Sequence, residues 1–342
     1  MKFLFINIRK NFVSLLFFLF TVCLIIFSKS NIASVKNSLN IWVNNIIPSL
    51  LPFFIATELI NKTNIPDLIG STLNKIMRPF FNVPGIGAYA LFMGIISGYP
   101  VGAKIITDFR NNNLCSKEEA ERLITFTNNS GPLFILGTVG ITLYYDTTIG
   151  ILLLLTHILA SLTVGFIFKF WKYNTRNNYE STYNQKQILF SSLGEVISKS
   201  INSAIASIIL IGGFIILFGL IISILQKLNL FKIIFYIFTP IFNILKIKTD
   251  YIIPFFTGLI EVSNGVTNIS LIQNESLLTN IIISSFLLGF GGISVTLQVL
   301  AIISKTDISF KPYLIGKLLH GIISAFYTFI LIKNISFLGY LS

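Results

Sequence analysis

The sequence has few charged residues. It contains 25 Lys and Arg and 13 Asp and Glu among 342 residues, or 11%, whereas soluble proteins carry about 25%. Hydrophobic residues make up 54%, and the mean hydropathy is +0.81. One water-soluble chain of this size cannot bury so much apolar surface, so the composition argues against a soluble enzyme.

Cysteines and the common catalytic motifs are also scarce. Of the two cysteines, Cys23 lies in an apolar run and Cys115 in a charged loop, so neither a disulfide nor a metal site is expected. The chain has no HExxH, GxSxG or P-loop motif and no paired catalytic carboxylates. These absences predict a protein that is not an enzyme and that needs no cofactor and no bound metal.

The net charge of +12 does not indicate a nucleic-acid binder. The basic residues fall between apolar runs instead of along one face, which is the pattern of positively charged cytoplasmic loops in membrane proteins. This distribution predicts the lipid bilayer as a partner and argues against nucleic acid. A small-molecule substrate is the other expected partner, and a homo-oligomer stays open.

Many segments are long and apolar enough to cross a bilayer, which requires about 20 residues. The N-terminal run resembles a signal peptide but lacks a small-residue cleavage site, so we interpret it as an uncleaved span. Segments 68–83 and 230–246 are weaker candidates because they contain Lys or Arg. The strong candidates are 11–28, 41–60, 86–108, 122–143, 149–171, 204–226, 251–272, 279–304 and 313–333.

An internal repeat divides the chain into two membrane halves. The polar and basic segment 172–199 predicts a cytoplasmic linker. It separates a first repeat at 36–171 from a second at 200–335, after an N-terminal helix at 1–35. Four landmarks recur in the same order at offsets of 160 to 164 positions: Pro79 with Pro240, Gly94 with Gly258, the break 129–132 with 289–292, and His157 with His320.

The charge pattern predicts how the repeats are oriented. Lys2, Arg9 and Lys10 place the N-terminus in the cytoplasm. With eleven spans each repeat has five, and an odd number inverts the second repeat relative to the first. The prediction is an all-α polytopic membrane protein with about 11 transmembrane segments and two inverted five-span repeats, the architecture of many secondary transporters. The basic loops 109–121, 172–199, 246–250 and 305–312 then lie inside, and 144–148 and 273–278, without Lys or Arg, lie outside.

Breaks inside apolar spans indicate the binding site, because non-helical backbone at membrane depth is tolerated only against protein or water. In the first half, glycines and Pro100 interrupt the span 86–108, and a helix that restarts there directs free N–H groups into a cavity. Lys104 either completes an anion site or extends to the interface. The predicted substrate-binding residues of this half are Ser97, Gly98, Tyr99, Pro100, Lys104, Asn128, Asn129, Ser130 and Gly131.

The second half contains the matching breaks. Asn264 follows one of them, Gly291 and Gly292 form the other, and Gln298 adds an amide, so these four residues complete the predicted substrate site. Glu261 lies near the middle of its span, where a carboxylate is expensive and is by default a functional hypothesis. It is a structural glutamate in the alternative interpretation.

Coupling to an ion would need titratable or oxygen-bearing side chains at membrane depth. Glu261 suits proton or sodium coupling, and His157 and His320 titrate near neutral pH when unperturbed. We therefore assign these three residues to ion coupling. The alternative for each histidine is a structural hydrogen bond between helices.

The motifs resemble the YlbJ family, the sporulation integral membrane proteins also called stage V sporulation protein V. The likeness runs over roughly residues 40–335 and is looser in the second half. The segments that carry it are 47–54, Arg78-Pro79-Phe80 with Val83-Pro84-Gly85, 97–104, 119–123 with Phe126 and Asn128, and 132–134.

The resemblance implies a function that composition and spacing do not. It implies gate domains similar to those of concentrative nucleoside transporters, and transport of dipicolinic acid from the mother cell across the outer forespore membrane during sporulation. The alternatives are a transporter of nucleosides or other neutral metabolites, and a membrane scaffold for spore envelope assembly that transports nothing.

Overall fold

The computed structural model describes residues 2–173, 193–244, 247–272 and 276–334, and every regular element in these ranges is helical. There are also two π-helical segments, Trp42–Ile46 and Leu133–Leu143, and a 3₁₀ turn, Thr249–Tyr251. The α-helices are α1 (Lys2–Ile26), α2 (Ser28–Ile41), α3 (Ile47–Ile60), α4 (Ile65–Phe81), α5 (Gly87–Ser97), α6 (Val101–Asn111), α7 (Lys117–Thr127), α8 (Thr147–Phe168), α9 (Leu193–Lys227), α10 (Leu230–Ile244), α11 (Ile252–Ile260), α12 (Val262–Ser270), α13 (Leu277–Phe290), α14 (Gly292–Ile303) and α15 (Phe310–Asn334).

Fewer helices have the length of a span than the sequence predicts. Within the part of the chain that the structure describes, four stretches are long and apolar enough to cross a membrane, namely α8, α9, the α13–α14 stretch and α15. The bent pair 11–26 and 28–44 makes a fifth candidate. Breaks divide the predicted spans 86–108, 122–143 and 251–272 into shorter helical segments, whereas α4 and α10 are unbroken but only 17 and 15 residues long. The protein is therefore an all-helical polytopic membrane protein, and the number of eleven spans stays a prediction.

Two of the predicted boundaries fall inside helices. α1 and α2 meet at Phe27 with a bend of 97°, so the predicted N-terminal unit 1–35 includes the first turns of α2. The buried Asn31 donates from Nδ2 to the carbonyls of Cys23 at 3.1 Å and Leu24 at 3.3 Å, which satisfies acceptors at the bend.

Most of the predicted linker 172–199 lies outside the described residues, and its last seven residues belong to α9.

The two halves have the same order of elements. After α3 in the first half and α9 in the second, each half has one helix, two helix pairs that are broken in the middle, and one long helix. In the first half these are α4, α5 with α6, α7 with the π segment 133–143, and α8; in the second they are α10, α11 with α12, α13 with α14, and α15.

Contacts between the halves come in exchanged pairs. α7 packs against α15 while α13 packs against α8. Likewise, α6 packs against α14 while α12 packs against the π segment 133–143, and α8 and α15 pack against each other. Two repeats related by a two-fold axis produce this pattern of exchange. The orientation of each repeat relative to the membrane stays a prediction.

Glycines allow the broken helices to pack backbone against backbone. A Cβ on Gly94 would lie 1.7 Å from the carbonyl oxygen of Thr127, and one on Gly102 would lie 2.2 Å from the same atom. In the second half a Cβ on Gly265 would lie 2.0 Å from the Cα of Gly258, within the pair of α11 and α12, and a Cβ on Gly258 would lie 2.5 Å from Cδ1 of Leu287 on α13. The repeated Gly94 and Gly258 therefore mark the places where the two broken pairs of each half meet.

Ion pairs connect elements near the loops that are predicted to be cytoplasmic. Arg110 binds Asp307 through Nε at 2.8 Å and Nη2 at 2.9 Å, and these bonds lower the pKa of the Asp307 carboxyl. Burial raises the pKa of the Glu121 carboxyl, but hydrogen bonds from Ser309 N–H, the Trp171 indole and Lys172 outweigh it, so that this pKa is lowered.

The predicted orientation can be measured on two exposed loop residues. Asn111 lies in the predicted cytoplasmic loop, and Tyr145, which is 90% exposed, lies in a predicted external loop. In a chain with Cys23 and Cys115 replaced by Ala, we expect an impermeant thiol reagent to label Tyr145→Cys on intact cells. Asn111→Cys should be labelled only after permeabilisation, and its labelling on intact cells would overturn this topology.

Candidate functional site

A cavity at the meeting point of the breaks brings many of the predicted residues together. Its volume is about 50 Å³, which is enough for a few water molecules. The first half contributes Gly98, Tyr99, Ser130 and Gly131. The second half contributes Glu261, Val262, Ser263, Ser294, Val295 and Gln298, and the remaining wall is formed by Ile46, Leu50, Phe134, Ile211 and Ile215.

Three helical segments begin beside this cavity, and Phe134, Val262 and Ser294 from their first turns line it. The π segment 133–143 begins after Pro132 and α14 after Gly291, and no side chain caps either start. α12 is the exception, because Glu261 caps it. α6 begins after Pro100, which lines a different cavity. Helix starts carry N–H groups without intrahelical partners and a partial positive charge, so the cavity is suited to an anion.

The two breaks of the first half touch each other. The backbone of Gly98 has φ +76°, and a Cβ there would lie 2.9 Å from the backbone nitrogen of Gly131. Only glycine meets both conditions without strain. This contact holds Tyr99 and Ser130 side by side in the cavity wall.

Glu261 is both a helix cap and part of the cavity wall. Its Oε2 accepts the N–H of Asn264 at 2.8 Å and its Oε1 accepts the N–H of Ser263 at 3.2 Å. The carboxylate thus compensates the N-terminus of α12, while its residue stays 5% exposed toward the cavity. Asn264, predicted to bind substrate, contributes its backbone N–H to this cap and is not part of the cavity lining.

The two histidines meet between the halves. Their ring centroids are 4.3 Å apart, on α8 and α15. Nε2 of His157 accepts the N–H of Ser130 at 3.1 Å, while Nε2 of His320 donates to the carbonyl oxygen of His157 at 2.9 Å. His157 therefore connects the break at Ser130 to the helix pair. Both histidines are buried, and their role in ion coupling stays a prediction.

Other predicted residues surround the cavity without lining it. Asn128 donates from Nδ2 to the hydroxyl of Tyr313 at 3.0 Å, and Asn129 donates to the carbonyl of Phe126 at 2.9 Å. Ser97 is buried behind the wall, where its hydroxyl meets that of Thr57 at 3.0 Å. Gly291 and Gly292 form the turn before α14, with φ +83° and +80°.

Lys104 lies in a different cavity from the rest of the predicted anion site. Its Nζ pairs with Glu58 at 2.5 Å and donates to the hydroxyls of Ser203 at 2.7 Å and Ser207 at 3.2 Å. Pro100 and Asp108 line the same cavity. The reason is geometric: one turn of α6 carries the lysine away from the break, toward α3 and α9.

Lys317 was not among the predicted site residues, and it is fully buried on α15. Its Nζ donates to the carbonyl oxygen of Asn128 at 3.3 Å and is 3.4 Å from Nδ1 of His320. The signal was present, since Lys317 is a lysine inside the predicted span 313–333, three residues before His320. The apolar wall was not predicted either, because Ile211 and Ile215 are ordinary residues of an apolar helix. Among the described residues, no group of three or more His, Cys, Asp or Glu is placed to hold a metal ion.

These features define an all-helical integral membrane protein in which paired broken helices enclose a central cavity. Residues 43–170 match the family model described as "Gate: Nucleoside recognition". The chain is 36% identical over 336 residues to "Sporulation integral membrane protein YlbJ" of Bacillus subtilis (strain 168), which covers 93% of this chain and 81% of that protein. No solved structure matches the chain. The chain therefore belongs to the YlbJ family of sporulation integral membrane proteins, and the resemblance of its motifs is confirmed.

Proposed function

We propose that this protein is a secondary transporter of a small anionic metabolite, namely dipicolinic acid, in the outer forespore membrane of a sporulating cell. Membership of the YlbJ family supports the link to sporulation. The gate-domain match supports a transporter and not an enzyme. The direction proposed is from the mother cell toward the forespore.

The observation that carries the proposal is the meeting of two uncapped helix starts, those of the π segment 133–143 and of α14, at one cavity. Dipicolinate is a small planar dianion. A dianion that leaves water for a site at membrane depth must find hydrogen-bond donors and positive charge there, since an uncompensated buried charge is prohibitively costly. Backbone N–H groups at helix starts meet this need, together with the hydroxyls of Tyr99, Ser130 and Ser294.

Movement of one repeat against the other would give the substrate access to each side in turn. The exchanged contacts between the halves support two repeats around a central site. The glycine contacts within each half favour motion of each pair of breaks as a unit. The coupling ion in this proposal is a proton or sodium, and Glu261, which faces the cavity, is its principal site.

A nucleoside transporter is the second candidate. The description of the matched family model, nucleoside recognition, favours it. The amide of Gln298 and the carboxylate of Glu261, both in the cavity wall, also suit the hydrogen-bonding groups of a neutral nucleoside.

Uptake into liposomes separates the candidates. Purified protein in liposomes should accumulate labelled dipicolinate faster than protein-free liposomes, and excess unlabelled dipicolinate should abolish the signal. Uridine should neither be taken up nor compete. Uptake of uridine instead would establish the second candidate, and uptake of neither compound, under proton or sodium gradients of both directions, would favour a scaffold.

Replacing Glu261 tests its role in coupling. Glu261→Gln removes the charge and retains one acceptor for the N–H groups of α12, so we expect folded protein with uptake reduced by about 10-fold or more, or without its dependence on the proton or sodium gradient. The control is Glu195→Gln, an exposed carboxylate on α9. Unchanged uptake with unchanged ion dependence in Glu261→Gln would leave Glu261 only the role of a cap.

A further inference from the structure

Lys317 is a fully buried lysine that pairs with no carboxylate of the described residues. It is 0% exposed, on α15 between the long helices and the broken ones. As an ammonium group it has three N–H donors. The described residues provide two acceptors, the carbonyl oxygen of Asn128 at 3.3 Å and Nδ1 of His320 at 3.4 Å.

No carboxylate from the neighbouring helices compensates Lys317. The described residues that pair with a carboxylate within 4.0 Å are Arg78, Lys104, Arg110, Lys172 and Lys199. α13 and α14 contain no titratable residue, and α8 contains His157 alone. α7 has its charged residues in its first two turns, away from the Asn128 end. A buried cation without a partner is expensive at membrane depth.

The backbone at Asn128 and at Gly291 lies between Lys317 and the cavity. Asn128, which accepts from its Nζ, ends α7 two residues before Ser130 in the cavity wall. Gly291 lies between Lys317 and the cavity residue Val295, and it has no side chain to separate them further. The atoms nearest to a Cβ built there are Cε of Lys317 and Cγ1 of Val295, both at 3.7 Å, and Val295 lines the cavity. Glycine thus leaves the lysine separated from the cavity by the turn alone.

A second unpartnered group lies at the same place. Asn128 is 1% exposed, and its Oδ1 has no hydrogen-bond partner, while its Nδ2 is held by Tyr313. Lys317 and Asn128 therefore leave a donor and an acceptor unused beside the cavity. Polar groups buried in this way are rarely left unsatisfied.

We infer that Lys317 is the residue whose positive charge holds a carboxylate of the substrate, in place of the Lys104 that the sequence suggested. The inference rests on the proposed transport of an anion and names the side chain that selects for charge. Lys104 already has Glu58 as its partner, so its charge is not available to a substrate. The substrate carboxylate completes the coordination of Lys317 when the turns at Asn128 and Gly291 move apart.

The test compares two lysines and two ligands on purified full-length protein. Lys317→Met should weaken dipicolinate binding by about 10- to 100-fold, the scale of one hydrogen bond to a charged group. Lys104→Met should change it less than about 3-fold. The neutral isostere pyridine-2,6-dicarboxamide should bind the wild type and Lys317→Met with equal affinity. If the lysine had only a structural role, the variant would bind both ligands more weakly.

Equal dipicolinate affinity in Lys317→Met and wild type would overturn the inference while leaving anion transport intact. A wild type that binds no dicarboxylate would overturn the proposed function, and this inference with it.

Discussion

Gly94→Ala is expected to lower the stability of the folded protein strongly. Its Cβ would lie 1.7 Å from the carbonyl oxygen of Thr127, at the last residue of α7. A backbone atom cannot rotate away as a side chain does, so the two broken helices of the first half would have to separate. Overpacking in a core costs about 1–3 kcal/mol, and more where backbone must shift. The displaced contact also holds the turn that carries Asn128 and Ser130 to the cavity.

The matched control is Gly137→Ala. Gly137 lies in the π segment 133–143, and a Cβ there has no atom within 4 Å. We expect Gly137→Ala to accumulate in membranes and unfold at the temperature of the wild type, while Gly94→Ala accumulates poorly or unfolds at least several degrees lower in detergent. Equal thermal stability of the two variants would show that the packing of α5 on α7 is looser than this structure has it.

Arg122→Lys is expected to be nearly as damaging, although the charge is kept. Arg122 is 1% exposed and donates to three backbone carbonyls, those of Asn82 at 2.6 Å, Trp171 at 2.8 Å and Lys172 at 2.9 Å. These carbonyls lie where α4 and α8 end, so the guanidinium fastens both helices to α7. A lysine has a single nitrogen and cannot reproduce the fork. Two carbonyls left without partners would cost about 2–6 kcal/mol, at 1–3 kcal/mol each.

The control for this variant is Arg78→Lys. Arg78 is 30% exposed and pairs with Glu119, a contact that a lysine can also make. Thermal unfolding in detergent should show a small change for Arg78→Lys and a large loss for Arg122→Lys. If both arginines tolerate lysine equally, the three carbonyls are satisfied by water and Arg122 does not fasten the helices.

The sequence by itself determined the class of protein and the places where its helices break. Low charge and long apolar runs require a bilayer, and glycine and proline clustered inside an apolar run interrupt its helix. The breaks at Gly98 to Pro100, at Asn128 to Pro132 and at Gly291 were therefore predicted. The family also followed from local motifs, because motifs are properties of the chain and not of its packing.

Only the tertiary structure decided which side chains meet at the breaks. Periodicity places Lys104 and Lys317 on their helices but does not say what faces them, so Lys104 was assigned to the cavity that Lys317 adjoins. The same holds for Glu261, whose bonds to Ser263 and Asn264 depend on where α12 begins. The sequence could not predict which isoleucines of α9 line the cavity, because isoleucines that face lipid and isoleucines that face a cavity have the same sequence pattern. Burial and pairing are set by the neighbouring helix, and that neighbour is chosen by packing between segments distant along the chain.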